Sequence, residues 1–254
     1  MSRICAGKHQ FDITCAVFDK DGTLMDFEQA WGGRIRQWIG SIAAAVGGDD
    51  SLANALFHVF GYDPLSREVA IDGPILAASG ETMKTLSAGV LYAELGLPWH
   101  EAEKIAVATI LSAFGTPLTE DEIRPLGDVK GTIRKLRRAG IAIAVATADN
   151  RDITEHCLEL LEIRQDVDIL MCGDDPLPQK PDPGVLAWIG AELNSDPASI
   201  LMVGDTINDM LTGRNANAAG CIGISPPGSN GSTVLAPFAD VVLNTIADLQ
   251  VGCG

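Results

Sequence analysis

The sequence has 254 residues, of which 46% are hydrophobic, and this suits one large α/β domain or a core domain with a smaller insert. Lys and Arg total 18 against 34 Asp and Glu, so the formal net charge is −16. Because this charge repels nucleic-acid phosphates and anionic lipids at long range, we expect neither nucleic acid nor a membrane as a partner.

The N-terminal sequence and the cysteines bear on the compartment. MSRICAGKHQFD lacks the apolar core of a secretory signal, and no apolar run is long enough to cross a bilayer. No CxxC pair occurs, so the spacing disfavours a zinc site or a disulfide framework. We therefore predict a cytoplasmic protein with reduced thiols at its cysteines, Cys5, Cys15, Cys157, Cys172, Cys221 and Cys253.

The first predicted strand, TCAVF at 14–18, leads into FDKDGTL at 18–24. A sharp turn there would direct the carboxylates of Asp19 and Asp21 at the same small volume. One carboxylate could then attack an electrophile while the other moves a proton or helps to hold a cation. The alternative interpretation is an ordinary strand followed by an Asp-Gly turn.

Residues 24–126 carry little strand signal and predict helices near 26–46, 51–60, 82–95 and 99–114. Gly and Pro residues interrupt the helical pattern between these stretches. We interpret the segment as an all-helical insert placed directly after the first strand. The predicted domains are a core of residues 1–23 and 127–254 and a helical domain of residues 24–126.

Strands and helices alternate in the rest of the chain. Apolar runs predict strands at 141–146, 167–172, 200–203, 221–224 and 240–243, and helical patterns at 131–140, 151–163 and 183–193 separate most of them. This alternation predicts an α/β fold with a parallel sheet covered on both faces.

Polar residues follow four of the predicted strands. Ligands of open parallel sheets bind outside the carboxyl ends of the strands. A folded sheet would therefore bring together residues that are far apart in the sequence, namely Asp19, Asp21, Thr147, Asp149, Lys180, Asp205 and Asp209.

This set of residues suits phosphoryl transfer. A phosphate ester is anionic and repels a carboxylate nucleophile unless a divalent cation lies between them. Asp19, Asp21 and Asp205 could supply the hard oxygen ligands that Mg²⁺ prefers. The Lys180 ammonium and the Thr147 hydroxyl could stabilise the equatorial oxygens of the phosphoryl group.

Each of these residues also has a structural interpretation. Thr147 can simply end a strand, and Lys180 can be a solvated loop lysine. Asp205 or Thr206 can cap a helix. Asp209 can lie on the solvated face of that helix. The occurrence of all of them together, at strand ends, favours a functional site.

Four motifs, FDKDGTL, VATADN, QKPDP and GDTINDM, resemble those of the haloacid dehalogenase-like superfamily. The resemblance spans residues 14 to about 225 and implies a Rossmann-like parallel-sheet core. A helical cap inserted after the first motif, as residues 24–126 would be, is similar to the phosphoglycolate phosphatase and β-phosphoglucomutase branch.

The resemblance implies a role for each motif residue. Asp19 would be the nucleophile that forms an aspartyl-phosphate. Asp21 would protonate the leaving alcohol and then activate water. Thr147, Ala148 and Lys180 would bind the phosphoryl group.

The resemblance also implies Mg²⁺ as the cofactor. Its ligands would be Asp19, Asp205 and the main-chain carbonyl of Asp21, with Asp209 supporting the site.

We predict a Mg²⁺-dependent phosphatase of a small phosphorylated metabolite, such as phosphoglycolate or a sugar phosphate. Asp21 argues against a dehalogenase, because superfamily members that cleave carbon–halogen bonds lack this aspartate. Three alternatives stay open: a sugar phosphomutase, a non-catalytic binding protein, and a phosphonoacetaldehyde-type hydrolase. The last requires a cap lysine for a Schiff base, for which Lys84 is the candidate.

Arg34 and Arg67 are candidate contacts between the cap and an anionic substrate, although arginines on helices are usually solvated. Both a monomer and a homodimer are compatible with the sequence, and residues 1–12 receive no role.

Overall fold

The computed structural model describes residues 1–252 of the chain. Contacts divide it into two compact units, a core unit of Met1–Asp26 with Ile123–Gly254 and a helical unit of Phe27–Glu122. These boundaries lie close to the predicted ones after residues 23 and 126.

The described strands all lie in the core unit. In chain order they are β1 Ser2–Ala6, β2 His9–Ile13, β3 Cys15–Phe18, β4 Ala142–Ala146, β5 Ile169–Met171, β6 Ile200–Gly204, β7 Gly220–Ile224, β8 Val241–Leu243 and β9 Gln250–Val251.

The main sheet has six parallel strands in the order β5-β4-β3-β6-β7-β8, which confirms the predicted α/β fold. The central strands β3 and β6 are apolar and fully buried, as expected for strands covered on both faces. In their register Phe18 pairs with Val203. The residues that follow these two strands therefore lie side by side at the carboxyl edge of the sheet.

The helices, again in chain order, are α1 Gly33–Ala45, α2 Asp50–Phe60, α3 Pro74–Ala77, α4 Gly80–Leu95, α5 Trp99–Phe114, α6 Val129–Arg138, α7 Arg151–Leu160, α8 Gly184–Leu193, α9 Ile207–Asn215 and α10 Gly231–Leu235. The first five form the helical unit and the other five belong to the core unit. The predicted helical insert and its four long helices are therefore present.

Apolar packing holds α8 against the main sheet. Leu186 and Ile189 of this helix are fully buried in one cluster with Val17 and Met202 of the central strands. Each fully buried side chain of this size contributes about 1.5–3 kcal/mol to folding relative to an exposed one. This cluster fixes the strands whose ends carry the polar residues.

The helical unit begins with a π-helical turn, Glu28–Gly32, that continues directly into α1. Its core centres on Trp38, which is 1% exposed and stacks on Phe60 with ring centroids 5.0 Å apart. The Trp38 indole N–H donates to the Thr109 hydroxyl at 3.2 Å, so its polar atom is satisfied inside the core.

The terminal segments form a small sheet that the sequence did not predict. β1 pairs antiparallel with both β2 and β9. Cys5 of β1 is disulfide-bonded, so the prediction of reduced thiols is wrong for this residue. Cys15, Cys157, Cys172 and Cys221 are buried and form no disulfide. Among the described residues, no helix combines the length and the apolar character needed to span a membrane.

Candidate active site

The chain turns sharply after β3. The Asp19 amide donates to Val203 O at 2.9 Å, which extends the pairing of β3 with β6 by one residue. The turn is then closed by Gly22 N–H to Met25 O at 2.7 Å and by Leu24 N–H to Lys20 O at 2.8 Å. Gly22 has a φ of +79°, a conformation that favours glycine.

Three carboxylates converge at the edge of the sheet beyond β3 and β6. Asp19, Asp205 and Asp209 each offer one oxygen, and these oxygens lie within 4.8 Å of one another. Asp19 and Asp209 are buried, and Asp205 is half-buried. Buried carboxylate oxygens at this spacing are the hard ligands that Mg²⁺ prefers.

Lys180 joins two of these carboxylates. Its ammonium lies 2.5 Å from Asp19 Oδ1 and 2.6 Å from Asp209 Oδ1. The lysine side chain is only 12% exposed, so it belongs to the site and is not a solvated loop lysine.

The orientation of Asp209 and Asp205 is set by hydroxyl groups. Asp209 Oδ2 accepts from the backbone amide and the hydroxyl of Thr206, at 2.9 and 2.5 Å, in a capping box at the start of α9. The Thr23 hydroxyl donates to Asp205 Oδ1 at 3.0 Å. Thr206 therefore caps this helix, and the capping does not exclude a functional role for Asp205 and Asp209, which stays a prediction.

The three carboxylates carry more negative charge than Lys180 compensates. Burial raises the pKa of Asp19 to about 7, against the opposing effect of Lys180 and with the help of the Asp209 charge. Burial, followed by the charges of Asp19 and Asp209, raises the pKa of Asp205 well above its usual value. Such a cluster favours a bound cation, so the donor set fits a divalent metal ion.

A second ionic cluster, which we call the Lys20 cluster, lies beside the first and consists of Lys20, Asp21 and Asp149. Lys20 is fully buried, with its ammonium 2.5 Å from Asp21 Oδ2 and 2.9 Å from Asp149 Oδ2. Burial lowers the pKa of Lys20, but the charges of Asp149 and Asp21 outweigh that effect and raise it. Burial also raises the pKa of Asp149, although Lys20 opposes the rise.

The sequence analysis did not identify Lys20 as a member of this site, and it placed Asp149 at a strand end without giving it a role. The available signal was a lysine placed between the two aspartates of a motif that follows a buried strand. The Asp21 carboxylate belongs to the Lys20 cluster and not to the three-carboxylate group. A metal contact through the main-chain carbonyl of Asp21 stays a prediction.

Thr147 and Ala148 follow β4, the neighbour of β3, at the same edge of the sheet. The Thr147 amide donates to Met171 O at 3.0 Å, and the Thr147 hydroxyl accepts from the Asp149 amide at 3.2 Å. A Cβ atom at Gly173 would overlap the Ala148 carbonyl, so glycine is needed behind this loop. Phosphoryl binding by Thr147 and Ala148 stays a prediction.

The candidate substrate contacts of the helical unit have different environments. Arg34 is 11% exposed and donates to both Glu122 carboxylate oxygens, at 2.8 and 2.9 Å, and to two backbone carbonyls. It would have to leave these partners to bind a substrate. The Arg67 side chain is 65% exposed and lies 4.0 Å from Glu28. Lys84 is paired with Glu81 on the same helix.

Comparisons with known proteins show the family of this chain. The family model of the haloacid dehalogenase-like hydrolases matches residues 13–217. Hexitol phosphatase B of Escherichia coli K12 is 24% identical over 237 residues, which cover 93% of this chain and 94% of the relative. A phosphoglycolate phosphatase of Shigella boydii is 24% identical over 247 residues, covering 96% of this chain and 93% of the relative.

A solved structure shares the fold. It is described as a predicted phosphoglycolate phosphatase from Haemophilus somnus and superposes with a TM-score of 0.66. It covers 93% of this chain and 96% of its own, at 18% sequence identity.

Proposed function

We propose an activity for this chain, which belongs to the haloacid dehalogenase-like hydrolase family: Mg²⁺-dependent hydrolysis of a small phosphorylated metabolite through an aspartyl-phosphate. The observation that carries the proposal is the buried group in which Lys180 joins Asp19 and Asp209 while Asp205 lies alongside. The relatives named phosphatases, which match over almost the whole chain, support it.

The proposed reaction has two steps. In the first, an Asp19 carboxylate oxygen bonds to phosphorus, the ester P–O bond breaks, and the leaving alkoxide takes a proton from the Asp21 carboxyl. In the second, a water oxygen bonds to phosphorus and gives a proton to the Asp21 carboxylate, and the bond between Asp19 and phosphorus breaks. Inorganic phosphate is released and both carboxyl groups return to their starting forms.

Lys180 stabilises this chemistry electrostatically. Its ammonium already lies within hydrogen-bond distance of Asp19, so it is next to the phosphoryl group once that group is attached there. The Thr147 hydroxyl would supply a further hydrogen bond to the phosphoryl oxygens. Fixed donors of this kind contribute several kcal/mol to transition-state stabilisation.

Asp19 and Asp205, with the Asp21 carbonyl, are the groups that would hold Mg²⁺, and Asp209 supports them through Lys180 and Thr206. When bound, the ion neutralises the phosphate charge that would otherwise repel the Asp19 carboxylate. A phosphoglycolate or hexitol phosphate is the substrate class that the names of the relatives favour. A cytoplasmic location, and a monomer or homodimer, stay predictions from the sequence.

Phosphate release across a panel of metabolites tests this proposal. The panel contains phosphoglycolate, hexitol 6-phosphates, hexose phosphates and glycerol phosphate, each with Mg²⁺ and with EDTA. We expect release from at least one compound with Mg²⁺ and none with EDTA. Isomerised sugar phosphate without net release would instead indicate a phosphomutase, and no reaction of any kind would contradict the proposal.

Gly22→Ala is expected to lower phosphate release about 100-fold or more. A Cβ atom there would overlap the Asp205 carboxylate and displace it from Asp19. The positive φ itself costs about 1–2 kcal/mol of stability for a non-glycine residue. Gly140→Ala is the matched control, because Gly140 has a φ of +76° with no atom near the added Cβ. Kinetics and thermal unfolding of both variants separate the two effects, and equal activities would contradict the role of Gly22.

A further inference from the structure

We propose that Lys20 is a positioning residue for the acid–base carboxyl of Asp21, and that Asp149 anchors the Lys20 ammonium. The inference rests on the proposed function and adds to it two residues outside the nucleophile and metal group. It concerns how Asp21 keeps one orientation while it gives up and takes back a proton.

The buried geometry of Lys20 is the first argument. The side chain is 0% exposed, and its ammonium lies 2.5 Å from Asp21 Oδ2 and 2.9 Å from Asp149 Oδ2. The sulfur atoms of Met25 and Cys157 also lie 4.0 Å from the ammonium. A buried ammonium must be paired, and the two aspartates at these distances are strong partners of Lys20.

The rotational freedom of Asp21 is the second argument. Asp21 follows a strand end, and its side chain is 16% exposed. The ion pair with Lys20 restricts the rotation of its carboxyl group. Because Lys20 is itself immobilised in the core, the carboxyl of Asp21 is held relative to Asp19, two residues earlier. Orientation of this kind is what makes proton transfer to a leaving group efficient.

The second carboxylate is the third argument. Asp149 gives the buried Lys20 ammonium a second carboxylate partner, at 2.9 Å and from a different loop. The position of Lys20 therefore does not depend on its contact with Asp21 alone.

The placement of Asp149 is the fourth argument. Its amide donates to the Thr147 hydroxyl, and its carbonyl accepts from the Gly173 amide at 2.7 Å. The anchor is therefore built on the loop that also carries Thr147. The second motif would therefore support the acid–base group of the first motif in addition to binding the phosphoryl group.

The leaving group of the substrate distinguishes positioning of Asp21 from a purely structural role. A p-nitrophenolate leaves without taking a proton, whereas an alkoxide requires one. The value of kcat/KM reports only the steps up to loss of the alcohol. We compare p-nitrophenyl phosphate with the fastest of three alkyl probes: phosphoglycolate, a hexitol 6-phosphate and glycerol phosphate.

Lys20→Met should lower kcat/KM for the alkyl probe about 100-fold, within the range of a lost general-acid contribution. The value for p-nitrophenyl phosphate should fall less than about fivefold. Asp149→Asn should show the same preference with a smaller loss, because the Lys20–Asp21 pair remains. In the Asp21→Asn background, Lys20→Met should cause no further selective loss, since the group that it positions is absent.

Lys130→Met is the matched control, because Lys130 pairs with an exposed Glu162 on the surface of the core unit. It should leave both values of kcat/KM unchanged. Thermal unfolding shows whether each variant is folded. If Lys20→Met is unfolded, the comparison of the two leaving groups is made with Asp149→Asn.

A folded variant whose kcat/KM falls equally for the two leaving groups, or does not fall, would overturn the positioning role. The proposed phosphatase function would still hold if the wild type releases phosphate. A wild-type protein that releases no phosphate from any probe would overturn the proposed function and this inference together.

Discussion

Asp19→Asn is expected to lower phosphate release by about 10⁴-fold or more at saturating substrate and Mg²⁺. The amide cannot form the covalent bond to phosphorus. Its carbonyl can still accept from Lys180, which lies 2.5 Å from Asp19 Oδ1. The substitution also removes one of three crowded carboxylates, so the metal-free variant should unfold at a temperature no lower than that of the wild type.

Asp12→Asn is the control for this prediction. Asp12 pairs with Arg3 at 2.9 Å on the surface, where its side chain is 53% exposed. This variant should keep full activity. Release by Asp19→Asn within about tenfold of the wild type would rule out Asp19 as the nucleophile.

Lys180→Met is expected to have the second largest effect, with a loss of activity of about 10³-fold. Removal of the ammonium leaves Asp19 and the fully buried Asp209 without their shared cation. Breaking a buried ion pair in this way costs about 3–5 kcal/mol. The metal-free variant should therefore unfold at a markedly lower temperature, and Mg²⁺ should restore part of the difference because it supplies positive charge to the same carboxylates.

Activity and thermal unfolding with Mg²⁺ and with EDTA check this prediction, again with Lys130→Met as the control. A Lys180→Met variant with near wild-type activity and stability would show that the buried contacts of Lys180 contribute neither to catalysis nor to stability.

The six strands of the main sheet and their polar ends could be predicted because each is a short apolar run between helical patterns. Parallel strands end at one edge, so Asp19, Asp205, Asp209 and Lys180 could be placed together without knowledge of side-chain contacts. The structure adds how close they are, with Lys180 between Asp19 and Asp209.

The small terminal sheet could not be predicted in the same way. β1 and β2 mix polar and apolar residues, and β9 is a two-residue strand from the other end of the chain. Its formation depends on pairing between the termini, which no local pattern reveals.

Lys20 and Arg34 show why single charged residues are hard to interpret from a sequence. Charged side chains are mostly exposed, so a lysine in a turn and an arginine on a helix are expected to be solvated. The buried Lys20 ammonium is paired with the carboxylate of Asp149, which is far away in the sequence. Arg34 is held by Glu122 at the far end of the helical unit. Both environments exist only after the chain has folded.

Trapping of the covalent intermediate is the most direct test of the central claim, that Asp19 is the nucleophile. The wild-type protein is mixed with Mg²⁺ and its best substrate, quenched in acid within the first turnover, digested and analysed by mass spectrometry. We predict a phosphoryl group on the peptide that contains Asp19, removed by hydroxylamine and absent from Asp19→Asn. Rapid phosphate release with no phosphorylated peptide, or with the phosphoryl group on another residue, would contradict the mechanism.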